Sequence, residues 1–255
     1  IDGALALEPD AMIIVPTDPD ALVAYVKEWM EKGIPVVTAD VTLSEPVELM
    51  GIESDQYSGG VEAAKAVFEM TGGEGSYYTV GTTPGSYGSG QRVAGFIDTM
   101  KELNPNAKML ETCYAHHDAT KSAECVSAAI IGNPDLKGVY VAVSSTAAGA
   151  ASAIIEQGKA GDIVLVSYDA DPQQVQDLKA GVYGTLIAQD PYKMGWLAVE
   201  TLAKYLRGEI TKEEIPQHTT VGMAALTQAN IGDTALLKFQ YVGDVNLCPN
   251  VDLSE

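Results

Sequence analysis

Val166-Ser167-Tyr168-Asp169-Ala170-Asp171-Pro172 carries the decisive pattern of this chain: an apolar run halts at polar side chains, and a proline-led helix start follows at once. Ala188-Gln189-Asp190-Pro191 repeats the pattern further on. In an open α/β sheet, ligands bind outside the carboxyl ends of the strands. Asp169 and Gln189 are therefore expected at a cleft that grips a small polar molecule.

Working outward, apolar runs recur at Ala11–Val15, Ile34–Thr38, Ser76–Val80, Met109–Tyr114, Val139–Val143, Ile163–Ser167 and Thr185–Gln189. They are short and continuous, which is how strands buried on both faces of a parallel sheet read. Helical stretches lie between them. Asp18 is expected as an N-cap with Pro19 at the first helical position and Gly33 as the stop. Asp190, Pro191 and Gly208 repeat that grammar around Tyr192–Arg207; Asp118 opens Ala119–Ile131, and Pro172 begins Gln173–Leu178. Alternation of this kind predicts an α/β fold with parallel sheet and right-handed crossovers. The chain opens inside what reads as the end of a helix. Its tail, from about Ile231, reads as a strand or two with frayed ends.

The bulk numbers narrow the classes. With 255 residues and 46% hydrophobic content a real core forms. A formal net charge of −20 repels phosphate backbones and anionic lipid heads, which argues against nucleic-acid or membrane-surface partners. No apolar run reaches the length of roughly twenty residues that a membrane span needs, and no signal-like segment opens the chain. Cys113, Cys125 and Cys248 lack metal-ligand spacing. Cys113 closes a strand and Cys125 sits in the next helix, so either a disulfide or two buried thiols fits.

No catalytic constellation emerges. The three histidines are His116, His117 and His218, and there is no Gly-x-Ser-x-Gly elbow, His-Glu-x-x-His helix, Walker loop or Cys-x-x-Cys pair. His116-His117-Asp118 suggests a metal only weakly, because adjacent loop side chains point apart; no metal and no cofactor is expected. Gly81 to Gly90 is glycine-rich between a strand and a helix but lacks the phosphate-loop ending, and reads as a flexible or ligand-touching loop. Arg92 follows it in a chain poor in positive charge. Its planar fork suits two oxygens of a ligand, although a helix-surface charge reads equally well. Asp40 follows the run Ile34–Thr38 and suits hydroxyl groups. Ser54-Asp55 precedes a segment that passes between lobes and starts a helix at about Val61. Tyr168 and His117 are flat rings at strand or loop ends.

Taken together these positions resemble the periplasmic sugar-binding proteins of the ribose-binding type. Val15-Pro16-Thr17-Asp18-Pro19-Asp20-Ala21, Gly33-Ile34-Pro35-Val36-Val37-Thr38-Ala39-Asp40, Ser54-Asp55-Gln56-Tyr57-Ser58-Gly59-Gly60, Gln91-Arg92-Val93-Ala94-Gly95-Phe96, and the two strand ends quoted first carry the likeness, in order, over about residues 8–231. The resemblance implies a periplasmic-binding-protein-like I fold: α/β, with two similar lobes, each a mainly parallel sheet flanked by helices, joined by three crossings. It places residues 1–54 with 190–221 in one lobe, 55–189 with 222–230 in the other, and 231–255 as a tail packed on the lobes. Asp40, Arg92, Ser144, Asp169 and Gln189 become ligand contacts. His117 and Tyr168 become aromatic covers for a sugar face, and Ser54, Asp55 and Asp190 mark hinges.

Three departures qualify it. The family's strand-end Asn-Asp pair is here Val143-Ser144-Ser145, so an amide grip is lost or taken over by Ser144. Asp40 is followed by Val41 where ribose binders tend to have Arg. The family's opening strand, helix and second strand have no counterpart ahead of Ile1. The expectation is an incomplete first lobe with an open edge around Ala11–Val15, or one completed by another molecule.

The resemblance implies a solute receptor rather than an enzyme. It would capture a small sugar or polyol for the membrane permease of an ABC importer, or report to a chemoreceptor. The setting would be the bacterial periplasm or an exported, surface-attached state. The rivals are the effector domain of a lactose-repressor-like regulator and, more weakly, a sugar-active enzyme using His116 or His117.

Overall fold

The computed structural model describes residues 2–241. In chain order its elements are α1 (Asp2–Leu5), β1 (Met12–Ile14), α2 (Val23–Glu31), β2 (Val36–Ala39), β3 (Met50–Ser54), α3 (Gln56–Thr71), β4 (Ser76–Gly81), α4 (Tyr87–Leu103), β5 (Lys108–Met109) and β6 (Cys113–Tyr114). They continue with α5 (Ala119–Gly132), β7 (Leu136–Val141), α6 (Ser144–Glu156), β8 (Val164–Tyr168), α7 (Pro172–Lys179), β9 (Thr185–Gln189), α8 (Pro191–Leu206), β10 (His218–Val221) and β11 (Met223–Leu226). Short 3-10 turns occupy Lys212–Glu214 and Thr234–Phe239. The chain divides into two compact units. Residues up to Ser54 join Asp190–Gly222 in the first, and Asp55–Gln189 join the described residues from Met223 onward in the second.

The first unit is a parallel sheet in the order β1-β2-β3-β10. Central strands need apolar residues on both faces, and Val36, Val37, Met50 and Ile52 supply them. Helix α8 contributes Met194, Ala198 and Leu202 to the core around Val37, Leu49 and Ile52, and α2 contributes Val26 and Trp29 to the core around Val36 and Leu43. Strand β1 ends the order and leaves Ile13 and Val15 exposed. Exposed apolar residues also recur along α8 at Tyr192, Trp196, Val199 and Leu206.

The second unit is a larger sheet in the order β11-β9-β8-β7-β4-β5, with β6 also paired to β4. Only β11 runs antiparallel to its neighbour among these described strands. Apolar clusters cover both faces, one involving α5, α6 and α7, the other α3 and α4. Glycine lets the helices approach closely. A Cβ at Gly60 would fall 1.9 Å from the Arg92 carbonyl oxygen, and one at Gly149 would fall 1.8 Å from that of Ala119.

Several local expectations are corrected. Helix α2 begins at Val23 rather than Pro19, because the Asp18 carboxylate accepts the Asp20 and Ala21 N–H groups and closes a turn first. Helix α3 begins at Gln56 rather than Val61, because Asp55 caps it by accepting the Ser58 N–H. The run Met109–Tyr114 is split into β5 and β6. The described part of the tail forms a 3-10 turn instead of a strand; Asp233 accepts the Ala235 N–H at its start, and Ile231 and Phe239 are buried in the second unit's core. Cys248 and the rest of the tail lie outside the described residues.

Candidate ligand-binding site

Strand β8 ends at Tyr168, and Asp169 then takes a left-handed conformation, φ +72°. Asp is one of the few residues that accept this region with little cost. The turn sets its carboxylate against the start of α6, whose first N–H groups have no partner within the helix. Oδ2 accepts the Ser144 N–H at 3.1 Å. Oδ1 accepts the Tyr241 hydroxyl at 3.0 Å and the Gln189 side-chain amide at 3.4 Å. The Tyr241 hydroxyl in turn accepts the Gln189 backbone N–H at 3.3 Å. Burial, and then the negative charge of Asp169, push the Tyr241 pKa far up, so the phenol remains a donor. Asp169 keeps only 9% of its surface exposed.

Arg92 stands in the second turn of α4 and is more buried still. Burying a guanidinium is costly unless its donors are met. Nε donates to Gln56 Oε1 at 2.7 Å and Nη1 to the Ala142 carbonyl at 2.9 Å. The cation lies 3.6 Å from the centre of the Tyr168 ring, a contact worth up to about 2 kcal/mol when desolvated. Tyr168 is fully buried and its hydroxyl donates to Met223 sulfur at 3.2 Å. The ring is the bed on which Arg92 rests. Gly59 makes room for it, since a Cβ there would meet Tyr168 Cε2 at 2.6 Å.

His117 lies in the loop after β6. His116 and His117 both have left-handed backbones, φ +51° and +60°, and such a pair persists only when its surroundings hold it. Ala115 and His116 donate their N–H groups to Gly81 and Thr82 carbonyls at 3.0 and 2.9 Å. Asp118 caps α5 by accepting the Thr120 and Lys121 N–H groups. A disulfide joins Cys113 to Cys125 across the same segment. His117 Nδ1 then lies 3.0 Å from the Ser145 hydroxyl, next to Ser144. In the loop after β4, the Thr82, Ser86 and Ser89 hydroxyls bond to one another at 2.6–3.1 Å.

In the second unit Asp169 thus holds the Ser144 N–H and the Gln189 amide, Arg92 lies on the Tyr168 ring, and His117 bonds to Ser145. In the first unit Asp40 follows β2 with φ +68°, the same turn as Asp169. Ser54 is buried at the end of β3, and Asp190 caps α8 through the Lys193 N–H at 2.8 Å. The chain passes between units at Ser54–Asp55, Gln189–Asp190 and Gly222–Met223. Two residues in these contacts were not foreseen. Gln56 lies inside a quoted segment but has no chemical signature of its own. Tyr241 sits in a tail with weak periodicity, where the aromatic Phe239-Gln240-Tyr241 run was the available signal. Among the described residues no three His, Cys, Asp or Glu side chains cluster as metal ligands, and no helix is long and apolar enough to cross a membrane.

The arrangement offers an acceptor carboxylate, a fixed cation and an amide, the donor and acceptor mixture that vicinal hydroxyls require. Fold and strand-end groups together define a binding protein of the type I periplasmic class. A profile of the periplasmic binding protein domain matches residues 1–210. The chain is 27% identical over 206 residues to a ribose import binding protein of Bacillus subtilis, covering 81% of this chain and 66% of that protein. It is 30% identical over 216 residues to a D-ribose/D-allose-binding protein of Pseudomonas aeruginosa, covering 80% and 66%. An Agrobacterium vitis ABC transporter solute binding protein bound with α-D-tagatopyranose superposes with a TM-score of 0.86 at 31% identity, over 94% of this chain and 83% of that one. A second protein of that organism, with bound D-fucose, gives 0.85 at 29%, over 94% and 82%. The chain belongs to the periplasmic sugar-binding proteins of the ribose-binding type, and spans about two-thirds of the length of these curated relatives.

Proposed function

We propose that the protein captures a small sugar or polyol and presents it to the membrane permease of an ABC importer. Asp169 and Gln189 hold hydroxyl groups, and Arg92 donates to ring or hydroxyl oxygens. His117 contributes its exposed ring edge beside Ser144. The observation that carries the reading is the buried Asp169–Gln189 pair at strand ends, with the buried Arg92 of α4 held by Gln56 and the Ala142 carbonyl in the same unit. The sugars bound by the similar Agrobacterium proteins support the ligand class. An exported setting accords with the family and with the Cys113–Cys125 disulfide. A chemoreceptor is a second candidate partner.

The protein binds without turnover. His117 and Ser145 have the spacing of a base and a hydroxyl, yet among the described residues no carboxylate hydrogen-bonds the ring to orient it, as an activated nucleophile requires. The regulatory alternative loses support because similar curated proteins are import binding proteins.

Calorimetry with D-ribose, D-allose, D-tagatose and D-fucose tests the reading. Asp169→Ala and Arg92→Ala should each weaken the preferred sugar by more than about tenfold, since hydrogen bonds to charged groups are worth roughly 1.5–3 kcal/mol. Unchanged affinity in both variants removes the assignment. Val41 and the Ser144-Ser145 pair, which replace residues typical of ribose binders, favour a preferred sugar other than ribose.

A further inference from the structure

We infer that Tyr241 is a positioning residue for the ligand-binding carboxylate. The segment after β11 returns its phenol to the ends of β8 and β9, where one hydroxyl holds Asp169 and the Gln189 backbone together. This inference rests on the function proposed above and narrows how that site works.

The placement is built. The Tyr241 N–H donates to the Ala170 carbonyl at 3.1 Å, directly beside Asp169. Phe239 and Gln240 are buried just before it, and Gln240 donates its amide to the Ile231 carbonyl at 2.9 Å. The ring is therefore anchored from its own backbone and from the preceding turn. A carboxylate has about four lone-pair sites. Ser144, Tyr241 and Gln189 occupy three of those of Asp169. Asp169 consequently keeps room for one strong donor and takes a single ligand hydroxyl in a fixed direction. Without the phenol, Oδ1 loses its shorter partner and keeps only the longer Gln189 contact, while Oδ2 stays on the Ser144 N–H.

The test uses the whole chain and the same four sugars. Tyr241→Phe keeps the ring and removes only the hydroxyl. The preferred sugar should lose about ten- to a hundredfold in affinity at 25 °C, the scale of one charged hydrogen bond. Tyr183→Phe, at a buried tyrosine just before β9 at the opposite end of that strand, should leave affinity within about twofold, as loss of a buried hydroxyl remote from Asp169 would. A Tyr241→Phe affinity within twofold of the parent, while Asp169→Ala abolishes binding, overturns the inference and leaves the site standing. Unchanged binding in Asp169→Ala removes the site itself. A readout without sugar decides the positioning contact separately: the Gln189 amide should exchange with solvent several-fold faster in Tyr241→Phe, and equal protection overturns the contact even if none of the four sugars binds.

Discussion

In the first unit β2 runs Val36-Val37-Thr38-Ala39 into Asp40; in the second, β8 runs Val164-Leu165-Val166-Ser167-Tyr168 into Asp169. Both aspartates turn into the left-handed region at nearly the same φ. Their settings differ. Asp169 lies in a sheet covered by apolar clusters on both faces, with three donors fixing its carboxylate. The sheet behind Asp40 is smaller, ends at the exposed strand β1, and is flanked by a helix that shows Tyr192, Trp196 and Val199 to the outside. A strand-end motif sets where a side chain starts; the packing behind it sets how rigidly the side chain is held.

The largest test of that contrast uses glycines. Gly60→Ala would drive a Cβ to 1.9 Å from the Arg92 carbonyl and should cost the second unit about 3 kcal/mol or more in urea unfolding, together with Arg92's alignment. Gly195→Ala, in α8 of the first unit, meets nothing within 4 Å and should stabilise by about 0.5–1 kcal/mol. Equal effects would erase the distinction between the units.

Opening the clasp comes next. Replacing Cys113 and Cys125 with serine should lower stability by about 2–4 kcal/mol, and should weaken ligand affinity through the His116–His117 loop. Affinity untouched by the double replacement would detach that loop from binding.

The two aspartates themselves give the third test. Asp169→Asn and Asp40→Asn should each reduce affinity by about tenfold or more in calorimetry. A harmless Asp40→Asn would show that the shared turn carries no shared role.

The smallest effect concerns pH at the first passage between units. The Ser58 backbone N–H, and then its hydroxyl, hold the Asp55 carboxyl below the usual carboxylate range. A pKa lowered in the folded state adds stability that is complete above the unfolded value and lost as pH falls through the folded one. Asp55→Ala should therefore cost about 1 kcal/mol at neutral pH, as cap removal does, and the gap to the parent should narrow in acid. A gap that widens on acidification would contradict the capping role.

Much of this was legible in the letters. Thr185–Gln189 was read at its true bounds, and the polar halts at Asp40, Asp169 and Gln189 gave the strand ends. Strand β3 was hidden because Gly51, Glu53 and Ser54 interrupt its apolar character, although every residue of it is buried. Strand β10 was hidden by His218-Thr219-Thr220, a run with too little apolar content to show burial. Site chemistry that depends on distant contacts was the least visible. Nothing in Tyr168 announces that Arg92 lies on its face, and nothing in Gln56 announces the guanidinium it receives. Those pairings arise from the close approach of α3 and α4, which Gly60 and Gly95 permit, and from the room that Gly59 leaves for the Tyr168 ring.

The Cys113–Cys125 link also bears on how the protein is best produced. Made in a reducing cytosol, the chain would be purified with its two thiols apart and the segment carrying both left-handed histidines held only by its hydrogen bonds. Titrations on such material would describe a looser receptor than the one that an oxidising secretory route delivers.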